Sequence, residues 1–362
     1  MGTYFQNVSD IVYMPWKEAK DFMKQAFIKV DVPEEDAEIC ANVLIEADLC
    51  GIESHGIQRL KMYIDRIKNK TQLPTTNYTV VKDQESATVL DAQNGMGQVI
   101  SYHAMNRTIE KARKYGSAVT VVRNSNHFGI AGYYSCMAAK ENMIGIALTN
   151  ARPSVAPTFG IEPMLGTNPI SCAIPSNLEY PFSLDMATSI IQRGRVEVLA
   201  KLNKPTPEGL VINQKGEAPS QDSNVILQDL VNKTAALLPL GGLGESTSGH
   251  KGYGLATMVE ILSTALCDAN YLRQTSGVKD GKNIPLGIGH FFMAIDMAHF
   301  LPMEVSKAIV TNIMTTLKES KHAPGQENIY IAGEKEYLMK QKRMEQGIPL
   351  YPALQNMIKE LS

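Results

Sequence analysis

The β-branched run SAVTVVR at 117–123 lies between helical periodicity at 98–115 and at 130–142, and a second strand-like run follows at 143–149. A chain whose apolar period switches between 3.6 and 2 in this order must pack helices on a sheet, so the fold class is mixed α/β. The first of these strands ends in NSNHFG, residues 124–129, which holds His127 among turn formers. A strand-end turn is a common place to expose a working side chain, although a merely well-made turn would need the same residues.

The same reading predicts strands at 77–82, 87–91 and 290–296 and a short one at 329–331. Helices are predicted from Trp16 to Val30, over 37–47, from Glu53 or Ser54 through IQRLKMYIDRIK, at 188–201, at 250–267 and near 303–319, with charged helices to the end. Residues 150–185 read as loops and strands, and 202–224 as a polar, Pro-rich surface excursion.

Bulk composition excludes several classes. The 362 residues carry a formal charge of -2 and are 44% hydrophobic, which argues against nucleic-acid or membrane-surface partners. MGTYFQNVSD lacks a signal-peptide core, and no apolar run reaches the roughly 18 residues of a membrane span. The five cysteines, Cys40, Cys50, Cys136, Cys172 and Cys267, form no CxxC or Cys/His metal spacing. That pattern predicts no metal site and a reducing, cytoplasmic location.

Four clusters can carry chemistry. On a continuous helix His55, Arg59 and Tyr63 recur every fourth residue and share one stripe, opposite Ile57, Leu60, Ile64 and Ile67. The stripe reads either as a solvated face or as an Arg that grips a carboxylate, with His and Tyr beside it as donors. His127 is the second, as an imidazole suited to proton transfer near neutral pH. The third pairs GTNPISCAIP, with Thr167 and Asn168, and LDMATS, where Asp185 suits a ribose hydroxyl or a carboxamide. The fourth is LPLGGLGESTSGHKGYGL at 238–255, with six glycines between 241 and 254 and Lys251 at a helix start, a composition suited to anions or to a simple flexible loop. GxGxxG is absent, since NGMGQVI, GGLGEST and GIGHFF each fail at the third glycine, and no P-loop or GxSxG elbow occurs.

ADLCGIESHGIQRL, NSNHFG, GTNPISCAIP, LDMATS and GHKGYGL, in this order, resemble the malate/L-lactate dehydrogenase family, which also holds ureidoglycolate and sulfolactate dehydrogenases and cyclic-imine reductases. The resemblance spans roughly residues 15 to 340. It implies a non-Rossmann NAD(P)-binding fold with a largely antiparallel central sheet, a helical lobe from 1–75 and 300–362, and a mixed-sheet cofactor-binding domain over 76–299. It makes His127 the proton donor and acceptor, sets His55 and Ser54 near nicotinamide and substrate, and gives the substrate carboxylate to Arg59 with Tyr63 beside it. Cofactor contacts are implied from Ala151, Thr167, Asn168, Asp185, Met186, Ala187, Arg195, Lys251 and Gly333. The implied cofactor is NAD, with NADP possible, and the implied assembly is a homodimer.

Two departures stand out. Gly194-Arg195-Val196 replaces the family's Gly-Lys-Val, and LGESTS lengthens the glycine loop before His250. The expected activity is interconversion of a 2-hydroxy acid and a 2-oxo acid, malate and oxaloacetate first. The alternatives are lactate, sulfolactate, ureidoglycolate or cyclic-imine substrates and, from another class, a non-catalytic nucleotide- or carboxylate-binding protein.

Overall fold

A computed structural model describes residues 10–361. Its centre is a seven-stranded sheet of β2 (Thr79–Asp83), β3 (Ala87–Asp91), β4 (Ser117–Ser125), β5 (Met143–Thr149), β6 (Ile170–Ile174), β7 (Phe182–Met186) and β12 (Ile288–Asp296). The spatial order is β2-β3-β4-β12-β5-β6-β7. Only β3 and β4 pair in parallel among these neighbours; the rest are antiparallel. β12, latest of these in the chain, inserts between β4 and β5 and runs antiparallel to both, so the crossover through the helix between them joins two parallel strands that are not neighbours. That is why an α/β alternation in sequence yields a mixed sheet here.

Helices α4 (Gly97–Tyr115) and α5 (Ala131–Lys140) cover one face. Ile100, Met105, Tyr134 and Phe292 are buried between them and the strands, each contributing about 1.5–3 kcal/mol of transfer free energy. Helix α8 (Gly249–Thr264) packs on the other face with Val121, Leu148 and Val259. A third cluster joins β8 (Val211–Asn213), β9 (Ala235–Leu237), α6 (Arg193–Lys201) and α7 (Ser223–Asn232). The small hairpin of β10 (Val278–Lys279) and β11 (Lys282–Asn283) leads into β12.

A separate core unites chain segments far apart in sequence. Helices α1 (Trp16–Ile28), α2 (Glu34–Leu49) and α3 (Leu60–Lys68) bury Phe27, Leu44, Leu60 and Tyr63 together with Ile348, Leu350, Tyr351 and Leu354 from β13 (Ile348–Leu350) and α11 (Pro352–Leu361). β13 pairs with β1 (Val12–Met14), and α10 (Glu334–Gln346) lies against α2. Helix α9 (Met303–Lys318) buries Met314 alone among its residues. Its Val305, Ile309, Ile313 and Leu317, four residues apart, stand about half exposed.

Three sequence expectations are corrected. The third helix does not start at Glu53 or Ser54: residues Glu53–His55 and Ile57–Arg59 form two 3₁₀ turns, and the α-helix begins at Leu60. The break falls at Gly56, where a Cβ would sit inside the buried Asp48 carboxylate, whose Oδ2 accepts the Ile57 N–H at 2.7 Å. Residues 329–331 form no strand, because that segment docks through Glu334, whose carboxylate takes the Ile331 N–H. The helix expected from 188 starts only at Arg193, since Ser189 bridges to Pro239 and Ile190 bonds Leu238. Helix α7 was not anticipated; Asp222 caps it by accepting the Asn224 N–H at 2.8 Å.

Gly56→Ala therefore forces a methyl group against an immovable carboxylate. It should lower stability by about 1–3 kcal/mol, the usual cost of overpacking, measured by urea unfolding, while the neighbouring Ile57→Val should cost less.

Candidate active site

The turn bearing His127 is fixed on three sides. Asn126 Nδ2 donates to Asn94 O, to Asn94 Oδ1 and to Gly95 O at 3.2, 2.9 and 3.0 Å. Phe128 lies flat on His290, ring centroids 4.6 Å apart and planes 8° apart, and its carbonyl accepts the Tyr134 hydroxyl at 2.5 Å. His290 is fully buried on β12, with its ring nitrogens 2.7 Å from Thr149 Oγ1 and 2.7 Å from Ser125 Oγ. A histidine to which the sequence assigned no role is thus the floor under the turn.

His127 is half-buried, and the groups expected beside it gather there. Tyr63 Oη lies 2.5 Å from its Nδ1, and the His55 ring stacks on it at 5.5 Å and 23°. Ser54 Oγ is 2.8 Å from His55 Nδ1. Tyr63 is fully buried in the helical core, which excludes the solvated-face reading of the stripe. Among the described residues, His127 Nε2 has no hydrogen-bond partner, so it is the nitrogen left for a ligand.

Burial, with the charges of His55, Arg66 and Arg59 adding to it, holds the His127 pKa well below the usual imidazole value. Burial and then Arg59 depress His55 to about 3. Both rings are therefore neutral at pH 7, and burial keeps the Tyr63 phenol protonated.

Arg59 is held by its surroundings. Its Nε donates to Ser54 O at 2.7 Å and its Nη1 pairs with Glu197 of α6 at 2.9 Å. Arg193 shares that carboxylate at 3.3 Å. Gly194 abuts the guanidinium so closely that a Cβ would collide with Nη2, which accounts for glycine in the Gly-Arg-Val triplet. Arg195, beside it, is exposed. Sequence reading missed Arg66, although it sits three residues after Tyr63 and seven after Arg59, the spacing of one helix face.

The residues expected at the cofactor divide into two kinds. Asp185 ends β7 with an open face, and its Oδ2 accepts the Gly132 N–H at 2.7 Å at the start of α5; protein crowding raises its carboxyl to about 6. Met186 and Ala151 are half-buried, Ala187 is buried, and Lys251 is exposed in the first turn of α8. Asn168 is fully buried and spends its amide on Ala151 N, Ala256 O and Glu260 Oε2 at 3.2, 3.0 and 2.7 Å. Its side chain holds the Ala151 backbone in place. Thr167 gives its carbonyl to the Thr188 N–H at 2.9 Å. Gly333 has φ +93 and packs against Ser183, two residues before Asp185 on β7. Among the described residues no group of three or more His, Cys, Asp or Glu side chains is arranged to hold a metal ion.

A neutral imidazole backed by a phenol, stacked on a second imidazole and surrounded by guanidinium groups defines an acid–base site for a small anionic substrate. Residues 14–359 match the malate/L-lactate dehydrogenase family. The chain is 44% identical over 351 residues to the malate dehydrogenase of Pyrococcus abyssi, spanning 97% of this chain and 94% of that one. It is 40% identical over 334 residues to the L-sulfolactate dehydrogenase of Methanocaldococcus jannaschii, covering 92% and 91%. Among solved structures, the malate dehydrogenase of Entamoeba histolytica matches with a TM-score of 0.94 at 43% identity over 98% of both chains. The chain belongs to the malate/L-lactate dehydrogenase family.

His290 makes the scaffold acid-sensitive. Burial depresses its pKa to about 3, so the folded protein refuses a proton that the unfolded chain accepts near 6.5. The unfolded state gains as pH falls through 6.5, and the stability is complete only above that value. His290→Asn should be less stable at pH 7 yet lose about 2 kcal/mol less than the parent between pH 7 and pH 5. Urea unfolding at both pH values checks this; equal losses would refute it.

Proposed function

We propose that this protein is a nicotinamide-dependent malate dehydrogenase, interconverting a 2-hydroxy acid and its 2-oxo acid. The observation that carries the reading is His127, its Nε2 free and its Nδ1 on Tyr63, in a pocket of arginines. Relatives named malate dehydrogenase at 43–44% identity over nearly the whole chain support malate as the first substrate.

In oxidation, neutral His127 accepts the C2 hydroxyl proton at Nε2. Nδ1 faces both the Tyr63 hydroxyl at 2.5 Å and the Gly129 N–H at 3.3 Å; for Nε2 to be the base, Nδ1 must carry the ring hydrogen and turn it to Tyr63 Oη in place of accepting from Gly129. The depressed His127 pKa suits this direction, because the base is already unprotonated. In reduction the incoming carboxylate offsets the positive field of the arginines, which lets His127 take up the proton it delivers to the developing alkoxide. Arg59 holds the C1 carboxylate and so aligns C2 with His127. His55 and Ser54 close the other side of the pocket.

The donor set fits a dinucleotide. Asp185 presents a carboxylate for ribose hydroxyls or a carboxamide with Met186 next to it in the chain, Ala151 follows the end of β5, and exposed Arg195 and Lys251 suit phosphates. NAD is the proposed cofactor, with NADP as the alternative, held in a non-Rossmann site. When bound, the nicotinamide supplies the hydride acceptor for oxidation and the hydride donor for reduction. We assign the active form to a homodimer in the cytoplasm. The half-exposed stripe of Val305, Ile309, Ile313 and Leu317 supports self-association, and five free cysteines suit a reducing compartment.

Steady-state rates with oxaloacetate, pyruvate and glyoxylate, each with NADH and NADPH, test the activity. His127→Ala should lower turnover by about 100-fold or more while cofactor fluorescence titrations are preserved. Unchanged turnover would remove His127 from the mechanism, and no turnover of any 2-oxo acid by the parent protein would refute the activity itself.

A further inference from the structure

The arginines of the site differ in what neutralises them. Arg59 is committed to Glu197 and to the Ser54 carbonyl, and Arg193 shares the same glutamate. Arg66, one turn beyond Tyr63 on α3, pairs with no carboxylate among the described residues, and its Nη1 is buried without a hydrogen-bond partner. A guanidinium carries five donors and is seldom left so when shielded from water. Arg152, directly after Ala151, is exposed and likewise has no acidic partner among the described residues. The two lie close enough for Arg152 to depress the Arg66 pKa, with burial the larger cause, and the Arg66 charge reaches His127. With its pKa still about 10, Arg66 is a cation at pH 7.

A half-buried cation with a shielded, unpartnered nitrogen is unfavourable unless something negative meets it. Arg59 is tied to the Ser54 carbonyl and to Glu197, whereas Arg66, seven residues on, has no such partner among the described residues. A monoanionic 2-oxo acid brings one carboxylate and would leave Arg66 unmatched.

We infer that Arg66, with Arg152 at the mouth, is the subsite for a second acidic group on the substrate, so that the site selects dianionic over monoanionic 2-oxo acids. The inference rests on the proposed dehydrogenase reading. The second group is a carboxylate or an equivalent strong acid at the end of the substrate away from C1, received by a planar fork of donors.

Two measurements test it. The first is the ratio of kcat/KM for oxaloacetate to that for pyruvate in the parent, in Arg66→Gln and in Arg152→Gln. Loss of a charged hydrogen bond should lower the ratio about 10- to 100-fold in Arg66→Gln and several-fold in Arg152→Gln, which changes an exposed residue and so keeps the fold. The second is calorimetric titration, with and without NADH or NADPH, of succinate against butyrate, which differ by one carboxylate and do not react. The parent should prefer succinate, and both substitutions should reduce that preference. An unchanged ratio in both variants, or no preference for succinate in the parent, overturns the inference. Succinate preference without turnover of any 2-oxo acid would sustain the subsite while refuting the dehydrogenase reading.

Discussion

The architecture of the site depends on one buried carboxylate. Asp48, at the end of α2, accepts the Ile57 N–H and occupies the space a side chain at position 56 would need. Its backbone carbonyl takes Arg343 of α10, and the same guanidinium binds Glu53. Two 3₁₀ turns result where a regular helix would otherwise run. They swing His55 onto His127 and Arg59 onto α6 while leaving Tyr63 in the core. Burial raises the Asp48 carboxyl to about 7, so the hydrogen bond it accepts, rather than ion pairing, decides the local path of the chain.

Around that path, the site keeps both histidines uncharged by surrounding them with guanidinium groups and protein mass. The arrangement is costly when empty, since like charges crowd together. It becomes favourable when an anion enters, because the same charges that repel a proton from His127 attract a carboxylate. Substrate binding and the acidity of the base are then one electrostatic event.

Much of this was legible in the sequence. Strand β4, helices α4 and α5, and strand β5 follow from hydrophobic period alone, and the turn bearing His127 from its composition. The gathering of His55 and Tyr63 at His127 is what the family resemblance implies, while their spacing alone predicts a shared stripe that survives the broken helix approximately. What the sequence hid were partners distant in the chain. Nothing local to Asp48 announces Arg343, 295 residues away. The place of β12 between β4 and β5, which turns an α/β alternation into a mixed sheet, has no local signal either. Asn168 was read as a ligand contact because a Thr-Asn-Pro turn looks exposed, but its amide is consumed by Glu260 and the backbone. Arg66 lies on the same helix face as Arg59 and Tyr63, but an arginine near the end of an amphipathic helix carries no local sign that its guanidinium is shielded and unpartnered.

The clamp from the C-terminal region also orders events in time. Arg343 secures the loop carrying Ser54 and His55, and the Tyr351 hydroxyl binds Gln58 within it. A ribosome makes that loop 290 residues or more before its two anchors. During synthesis the His127 turn, and later the central strand β12, are therefore made before the opposing wall has anything to fix it. The wall facing His127 is thus fixed only once residues 343–351 have been made, so a partly made chain can be extensively folded and still lack a complete pocket.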